Sequence, residues 1–238
     1  MIERGKFIIF EGILGAGKTT QAELARKHLI SLGRNANYTR EPGGATAGEV
    51  IRRLIFRLKK EKAINADHQV ALFFASRDFW VREFVAANLG VGCDVVSDRS
   101  YPSTAAYQGY AEGADLESIE RMTEIIMEEY KPDGIILLDI SIDEGIKRTS
   151  SANKDEDDPY DKLGVEYFEK VARGYREMAK VNWSDVPWHV VNGEQPLSLV
   201  AHDVRGVLRE ILGLKKLDPN RLPPFELSAL QSYTSRYG

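Results

Sequence analysis

Phe10-Glu11-Gly12-Ile13-Leu14-Gly15-Ala16-Gly17-Lys18-Thr19-Thr20 is the stretch from which the rest of the chain is read. Before it runs Phe7-Ile8-Ile9-Phe10, an apolar segment of the length of a buried strand. After it, Gln21 to Ile30 reads as a helix. Gly12 to Thr19 spells G-x-x-x-x-G-K-T, the pattern of a phosphate-binding loop in its expected strand-to-helix setting. Its glycines let successive backbone amides turn inward around phosphate oxygens. The helix that starts near Lys18 adds the partial positive charge of its N-terminus. Lys18 then reaches outer phosphates, and the Thr19 hydroxyl is a magnesium ligand.

The bulk numbers bound the answer. A chain of 238 residues, 43% hydrophobic and 29% charged, suits one large α/β domain with an insertion, or two small domains. A net charge of -4 argues against a broad basic footprint, so no nucleic-acid partner is expected. Small phosphorylated ligands need only a local cluster of Arg and Lys. Cys93 is the single cysteine, which excludes an intrachain disulfide and a cysteine-based metal site. The four histidines are scattered without ligand-like spacing. No apolar run approaches the roughly 18 residues of a membrane helix, so no membrane partner is expected. The first strand begins too close to Met1 for a signal peptide, which makes a cytoplasmic location the expectation.

In order, the chain predicts a weak strand over Asn35 to Arg40, a turn at Glu41-Pro42-Gly43-Gly44 and a helix over Glu49 to Lys60. Val50, Leu54, Ile55 and Leu58 mark that helix's apolar side. Asp67 to Leu89 reads as one long, largely buried helix. Asp94 to Asp98 is a strand, Pro102 to Gly109 a loop with a short helix, and Leu116 to Tyr130 an amphipathic helix including Ile125. A further strand spans Ile135 to Asp139, then a helix from Ile142 to Thr149 capped by Ser141. Ser150 to Asp158 is small, polar and acidic, the composition of a flexible functional loop. A helix through Val165 and Met178, a strand over Trp188 to Val191 and a helix over Leu197 to Leu212 complete the body. The tail from Gly213 carries three prolines and short apolar clusters.

Alternating strands and helices predict a parallel sheet with right-handed crossovers and ligands beyond the carboxyl ends of its strands. That arrangement gathers Gly12 to Thr20, Arg40 to Gly44 and Asp98-Arg99 at one edge. Phosphoryl transfer to a small acceptor needs a donor cradle, a cationic acceptor pocket and exclusion of water. Arg40, Arg77 and Arg99 are candidates for the pocket, with structural ion pairing as the alternative for each. Asp98 and Asp139 both end apolar strands. Asp98, beside Arg99, is favoured as the carboxylate assisting magnesium, and Asp139 is read as structural.

The ordered set FIIFEGILGAGKTTQ (Phe7 to Gln21), TREPGG (Thr39 to Gly44), LFFASR (Leu72 to Arg77), Asp98-Arg99 and AYQG (Ala106 to Gly109) resembles the thymidylate kinase family. The similarity covers about residues 6 to 212. It implies an α/β fold, a three-layer αβα P-loop kinase with a five-stranded parallel sheet and a lid insertion. The implied organisation is one domain over 1–212, a lid at about 150–164 and a C-terminal tail over 213–238. It also implies a homodimer and magnesium-dependent transfer of the terminal phosphoryl group of ATP to dTMP, giving dTDP. ATP would sit on Gly12, Leu14, Gly15, Ala16, Gly17, Lys18, Thr19 and Thr20, with Thr19 and Asp98 serving magnesium. Phe73 would stack on thymine while Arg77, on the same helical face, hydrogen-bonds the base. Arg99 would hold the acceptor phosphate, and Tyr107, accompanied by Gln108, would wall off the 2′ position. Glu41 and Pro42 would line the acceptor site, near the small polar residues Ser103 and Thr104.

Three departures from the family pattern stand out. Leu14 occupies a position where the family has an acid that contacts the sugar 3′-hydroxyl. Ser100 stands where an aromatic is common. The phosphate loop carries no arginine, and the lid offers Lys154 and Lys162, with Pro159 where an arginine is expected. Lysine supplies charge without the bidentate fork, so Arg148 or Lys154 is expected to close over the phosphates. The alternatives are another deoxynucleoside monophosphate or nucleoside kinase with altered sugar recognition, or a catalytically weak nucleotide-binding regulatory protein.

Overall fold

A computed structural model describes residues 3–150, 159–160 and 163–215. The Ser150 to Asp158 loop beyond Ser150 itself, Lys154, Lys162 and the tail beyond residue 215 lie outside the described residues.

Five strands form one parallel sheet: β1 (Phe7–Glu11), β2 (Ala36–Arg40), β3 (Asp94–Asp98), β4 (Gly134–Asp139) and β5 (Trp188–Asn192). Their order is β2-β3-β1-β4-β5. The central strand β1 is buried over its whole length, as is β3. Both faces of the sheet are covered by helices, which is why β1 and β4 read as continuous apolar runs rather than alternating ones. The helices are α1 (Lys18–Ser31), α2 (Thr46–Lys60), α3 (Ala66–Trp80), α4 (Ala86–Gly90), α5 (Tyr101–Thr104), α6 (Leu116–Met127), α7 (Ile142–Ser150), α8 (Val165–Lys180) and α9 (Leu197–Ile211). The register sets Phe10 and Arg40 on either side of Asp98, so three strand ends meet at one edge.

Several sequence expectations change in detail. Helix α2 starts at Thr46, earlier than Glu49, because Gly44 N donates back to the Glu49 carboxylate (3.3 Å) and closes the turn into the helix. Its apolar side is not a buried face: Ile55 is buried, while Val50 and Leu54 are exposed. Ile125 of α6 is exposed as well. The long helix expected over Asp67 to Leu89 consists of α3, a π-helical segment at Val81–Val85, and α4. Asn65 caps its start by accepting from His68 N.

Pro102 to Gly109 is helical throughout, not a loop with a short helix. Pro102 sits in the first turn of α5, where its missing N–H is no loss. The Glu11 carboxylate accepts from Ser100 N (2.8 Å) and Ser103 N (3.2 Å), capping α5 from another element. A π-helical segment, Ala105–Ala111, carries the helix onward. Carboxylates at the opposite end of the sheet are structural: Asp94 takes a paired contact from Arg34 and a bond from Lys6 N.

Candidate active site

The loop between β1 and α1 wraps tightly because two of its glycines have no room for a side chain. A Cβ on Gly12 (φ +147) would lie 2.6 Å from the Leu138 carbonyl, and one on Gly15 (φ +76) 2.4 Å from the Gly145 carbonyl. The second contact packs the start of α7 directly against the loop. Lys18 is buried, and its Nζ donates to the Ile13 carbonyl (2.8 Å) across the loop mouth. Thr19 and Thr20 follow in the first turn of α1, whose N-terminal amides face the loop interior. The Thr19 hydroxyl donates to the carboxylate of Asp98 at the end of β3, so two hard oxygen donors stand side by side. Tyr38 lies next to them, its phenol pushed well above its usual range by burial and by the nearby Asp98 charge.

Arg99 is the residue on which the site converges. It adopts a left-handed backbone (φ +71) unusual for a non-glycine residue, which turns its side chain back over the loop. Nη1 donates to the Gly12 carbonyl (3.3 Å), Ser103 Oγ (3.0 Å) and the Tyr175 hydroxyl (3.3 Å), and Nη2 reaches the Tyr107 hydroxyl (3.4 Å). Behind it, Glu11 Oε2 accepts from Ser103 Oγ and from the Tyr175 hydroxyl (both 2.8 Å). Burial pushes the Glu11 carboxyl up, opposed by the Arg99 charge and by these hydrogen bonds. Burial alone would lower the Arg99 pKa, but Tyr107, Tyr175, Glu11 and Asp98 around it raise it overall.

A cleft of about 290 Å³ opens beside Arg99. Leu14, Thr19 and Asp98 line its phosphate-loop side, and Phe73, Tyr107 and Gln108 its far side. Arg77 and Glu41 are both buried in its wall, with Nε 2.7 Å from Oε1. Those two atoms are close without hydrogen-bond alignment, and Arg77 Nη1 has no partner among the described residues. Arg77 Nη2 donates to Thr104 Oγ1 (3.0 Å), and the guanidinium lies over the Phe74 ring at 4.6 Å. Phe74 is thus the core aromatic of the pair, and Phe73 the one on the cleft. Ser100, in place of an aromatic, donates its hydroxyl to Glu41 Oε2 (2.7 Å). Pro42 follows Glu41 through a cis peptide bond on the same wall.

The structure therefore brings together Glu41, Pro42, Phe73, Arg77, Asp98, Arg99, Ser103, Thr104, Tyr107 and Gln108 around one cleft. Arg148 is not part of its lining. It stands on α7, one turn beyond Gly145, with Nε bonded to Glu144 Oε1 (2.8 Å). Asp139 pairs with Arg176 (2.9 Å), as its structural reading requires. Several residues on the site were missed by sequence reasoning, Tyr38, Phe56 and Phe168 in its lining among them. Tyr175 counts in the sequence only as one apolar step of α8, and its hydroxyl is the single hint of a buried polar role. Arg52 lies over Phe56 (4.4 Å) and bonds the Pro42 carbonyl (3.3 Å), and both residues line the cleft. Tyr160 enters the cleft from beyond the acidic segment and packs edge-on to Tyr107 (6.0 Å).

A family model described as thymidylate kinase matches residues 10–204. A thymidylate kinase from Francisella tularensis subsp. tularensis (strain WY96-3418) is 34% identical over 177 residues, covering 74% of this chain and 84% of the relative. A thymidylate kinase from Prochlorococcus marinus (strain NATL1A) is 33% identical over 214 residues, covering 88% and 98%. Among solved structures, the crystal structure of thymidylate kinase from Ehrlichia chaffeensis superposes with a TM-score of 0.67 at 28% identity, over 86% of this chain and 99% of that one.

Proposed function

The chain belongs to the thymidylate kinase family and is a phosphotransferase of the nucleoside monophosphate kinase class, and on that premise we propose that it transfers the γ-phosphoryl group of ATP to dTMP, giving dTDP. The observation that carries the reading is the Arg99 guanidinium, which bonds a carbonyl of the phosphate loop and a hydroxyl of the neighbouring cleft at once. A group so placed neutralises charge where donor and acceptor phosphates meet, the main requirement of phosphoryl transfer.

In this reading the amides from Gly12 to Thr20 and the Lys18 ammonium hold the triphosphate. Lys18 exchanges its bond to the Ile13 carbonyl for phosphate oxygens. Thr19 and Asp98 would hold magnesium, and their adjacent hydroxyl and carboxylate oxygens suit a hard cation that keeps most of its other positions for water and phosphate. When bound, magnesium supplies charge neutralisation on the phosphate oxygens. Among the described residues no group of three or more His, Cys, Asp or Glu gathers as a metal site, which fits an ion shared with phosphates rather than caged by protein.

Arg99 orients the acceptor phosphate, and Ser103, Tyr175 and Glu11 fix its fork. Phe73 and Arg77 take the base, the Arg77 guanidinium lying in the wall of the cleft with Nη1 unpartnered among the described residues. Tyr107 closes the sugar side against a 2′-hydroxyl, Gln108 lies beside it, and Thr104 holds Arg77 in place. Glu41 and Pro42 form the facing wall. Arg148, on a helix packed against the loop at Gly15, supplies the guanidinium charge that the loop lacks. Val50, Leu54 and Phe79, exposed on α2 and α3, support assembly as a homodimer, and the nucleotide substrates support a cytoplasmic location.

A coupled ATP-consumption assay over dTMP, dUMP, dCMP and thymidine tests the reading. Turnover with magnesium and preference for dTMP are expected. Preference for another acceptor, or nucleotide binding without product, would overturn it.

A further inference from the structure

Behind the cleft wall runs a chain of polar side chains with a fixed direction. The Glu112 carboxylate accepts from Lys59 Nζ (2.7 Å), the Tyr167 hydroxyl (2.6 Å) and Gln69 Nε2 (2.8 Å). A carboxylate accepts and does not donate, so Gln69 must turn its amide nitrogen toward Glu112. The same nitrogen donates to the Asn65 carbonyl (3.1 Å), which uses its second N–H. Gln69 Oε1 consequently points the other way, and it accepts from the Tyr160 hydroxyl (2.6 Å) and from Gln108 Nε2 (3.3 Å). Gln69 is buried and its amide is fully used. Gln108 therefore has no choice of orientation: its nitrogen faces Gln69, and its carbonyl oxygen is the acceptor it offers in the cleft it lines.

We infer that this relay from Glu112 through Gln69, braced by Tyr160, sets the base selectivity of the acceptor pocket by fixing which end of the Gln108 amide is presented. An acceptor oxygen favours a pyrimidine carrying an imide N–H, as in uracil or thymine rings. It disfavours a cytosine ring, whose nitrogen at that position is itself an acceptor and would leave two acceptors facing each other. Gln69 is a positioning residue, outside the lining of the cleft. The inference rests on the reading of this cleft as the acceptor site of a kinase. It assigns the discrimination to a residue that never touches substrate.

The test compares kcat and KM for dTMP and dCMP in the wild-type enzyme, in Gln69→Met and in Tyr160→Phe, with thermal melts as the folding control. Methionine nearly matches glutamine in volume and abolishes both halves of the relay. For Gln69→Met the dTMP-over-dCMP ratio of kcat/KM is expected to fall at least about tenfold, through a higher KM for dTMP, with kcat held within about twofold. Tyr160→Phe keeps the ring and removes one bond to Gln69, and a smaller fall of about 2–10-fold is expected. An active Gln69→Met enzyme with the wild-type ratio, or one losing kcat on both substrates alike, would overturn the relay while leaving the kinase assignment intact. Should Gln69→Met fail to fold, Tyr160→Phe decides: a lowered ratio supports the relay and an unchanged one refutes it. A wild-type enzyme without preference for dTMP would instead overturn the functional reading itself.

Discussion

Glu41→Gln is expected to destabilise the protein more than Arg77→Met, although both break the same buried contact. The two side chains are each about 2% exposed and meet at 2.7 Å. Breaking a buried pair by removing one partner costs about 3–5 kcal/mol, because the other charge is left without compensation. Arginine cannot shed its proton, so Glu41→Gln bears this cost at every working pH. In Arg77→Met the stranded carboxyl can take up a proton. Burial already raises the Glu41 pKa, and the Arg77 charge is the chief influence opposing that rise.

A carboxyl whose folded pKa lies above its unfolded value contributes stability that is present at low pH and lost as pH rises toward the folded pKa. Arg77→Met should therefore be nearer to wild type at pH 5 than at pH 8, by up to about 1.4 kcal/mol for each pH unit in that window. Urea unfolding across this range reads the difference, and melts should drop by about 6–20 °C for Glu41→Gln. The double variant Glu41→Gln/Arg77→Met should recover at least half of the Glu41→Gln loss, since neither charge is then stranded. Single variants that each cost under about 1 kcal/mol, or a double variant worse than both, would refute the reasoning.

Arg148→Ala should lower turnover at least about tenfold, within the range of lost arginine fingers, with little change in KM for dTMP; near-normal turnover would remove Arg148 from the site. Asp98→Asn should raise the magnesium concentration for half-maximal turnover about 10–100-fold, read by titrating magnesium at saturating nucleotide. His28 sits with its pKa lowered from 6.5 to about 4, first by burial and then by Arg205 and Arg209. Its neutral form is favoured in the fold, so stability should be lost as pH falls from about 6.5 to about 4. His28→Gln should flatten that part of the melting-temperature profile, and an unaltered profile would show that His28 does not contribute.

Most of the fold was legible because burial on both sheet faces leaves its mark as unbroken apolar runs. Phe7 to Phe10 in β1 and Ile135 to Leu138 in β4 stand out for that reason. The strand ends were legible as a site because Asp98-Arg99 closes such a run with charge. Local pattern failed where a partner distant in sequence decides the outcome. Pro102 to Gly109 reads as a loop with a short helix, whereas Glu11, on β1, caps a helix that runs through it. Tyr175 reaches Glu11 across 164 residues, a contact that no helical spacing announces. On α2 periodicity identifies an apolar side but not what covers it: Ile55 is buried while Val50 and Leu54 are exposed. The direction of the Gln69 and Gln108 amides is likewise set by a carboxylate on another element.

The central claim is that a donor and an acceptor nucleotide meet across Arg99. Incubation with ATP labelled in its γ-phosphoryl group, dTMP and magnesium, followed by mass spectrometry of the nucleotides, tests it directly. The account predicts dTDP carrying the label at its β-phosphate, with Arg99→Ala abolishing the transfer. Label recovered as free phosphate, with dTMP unchanged, would contradict it.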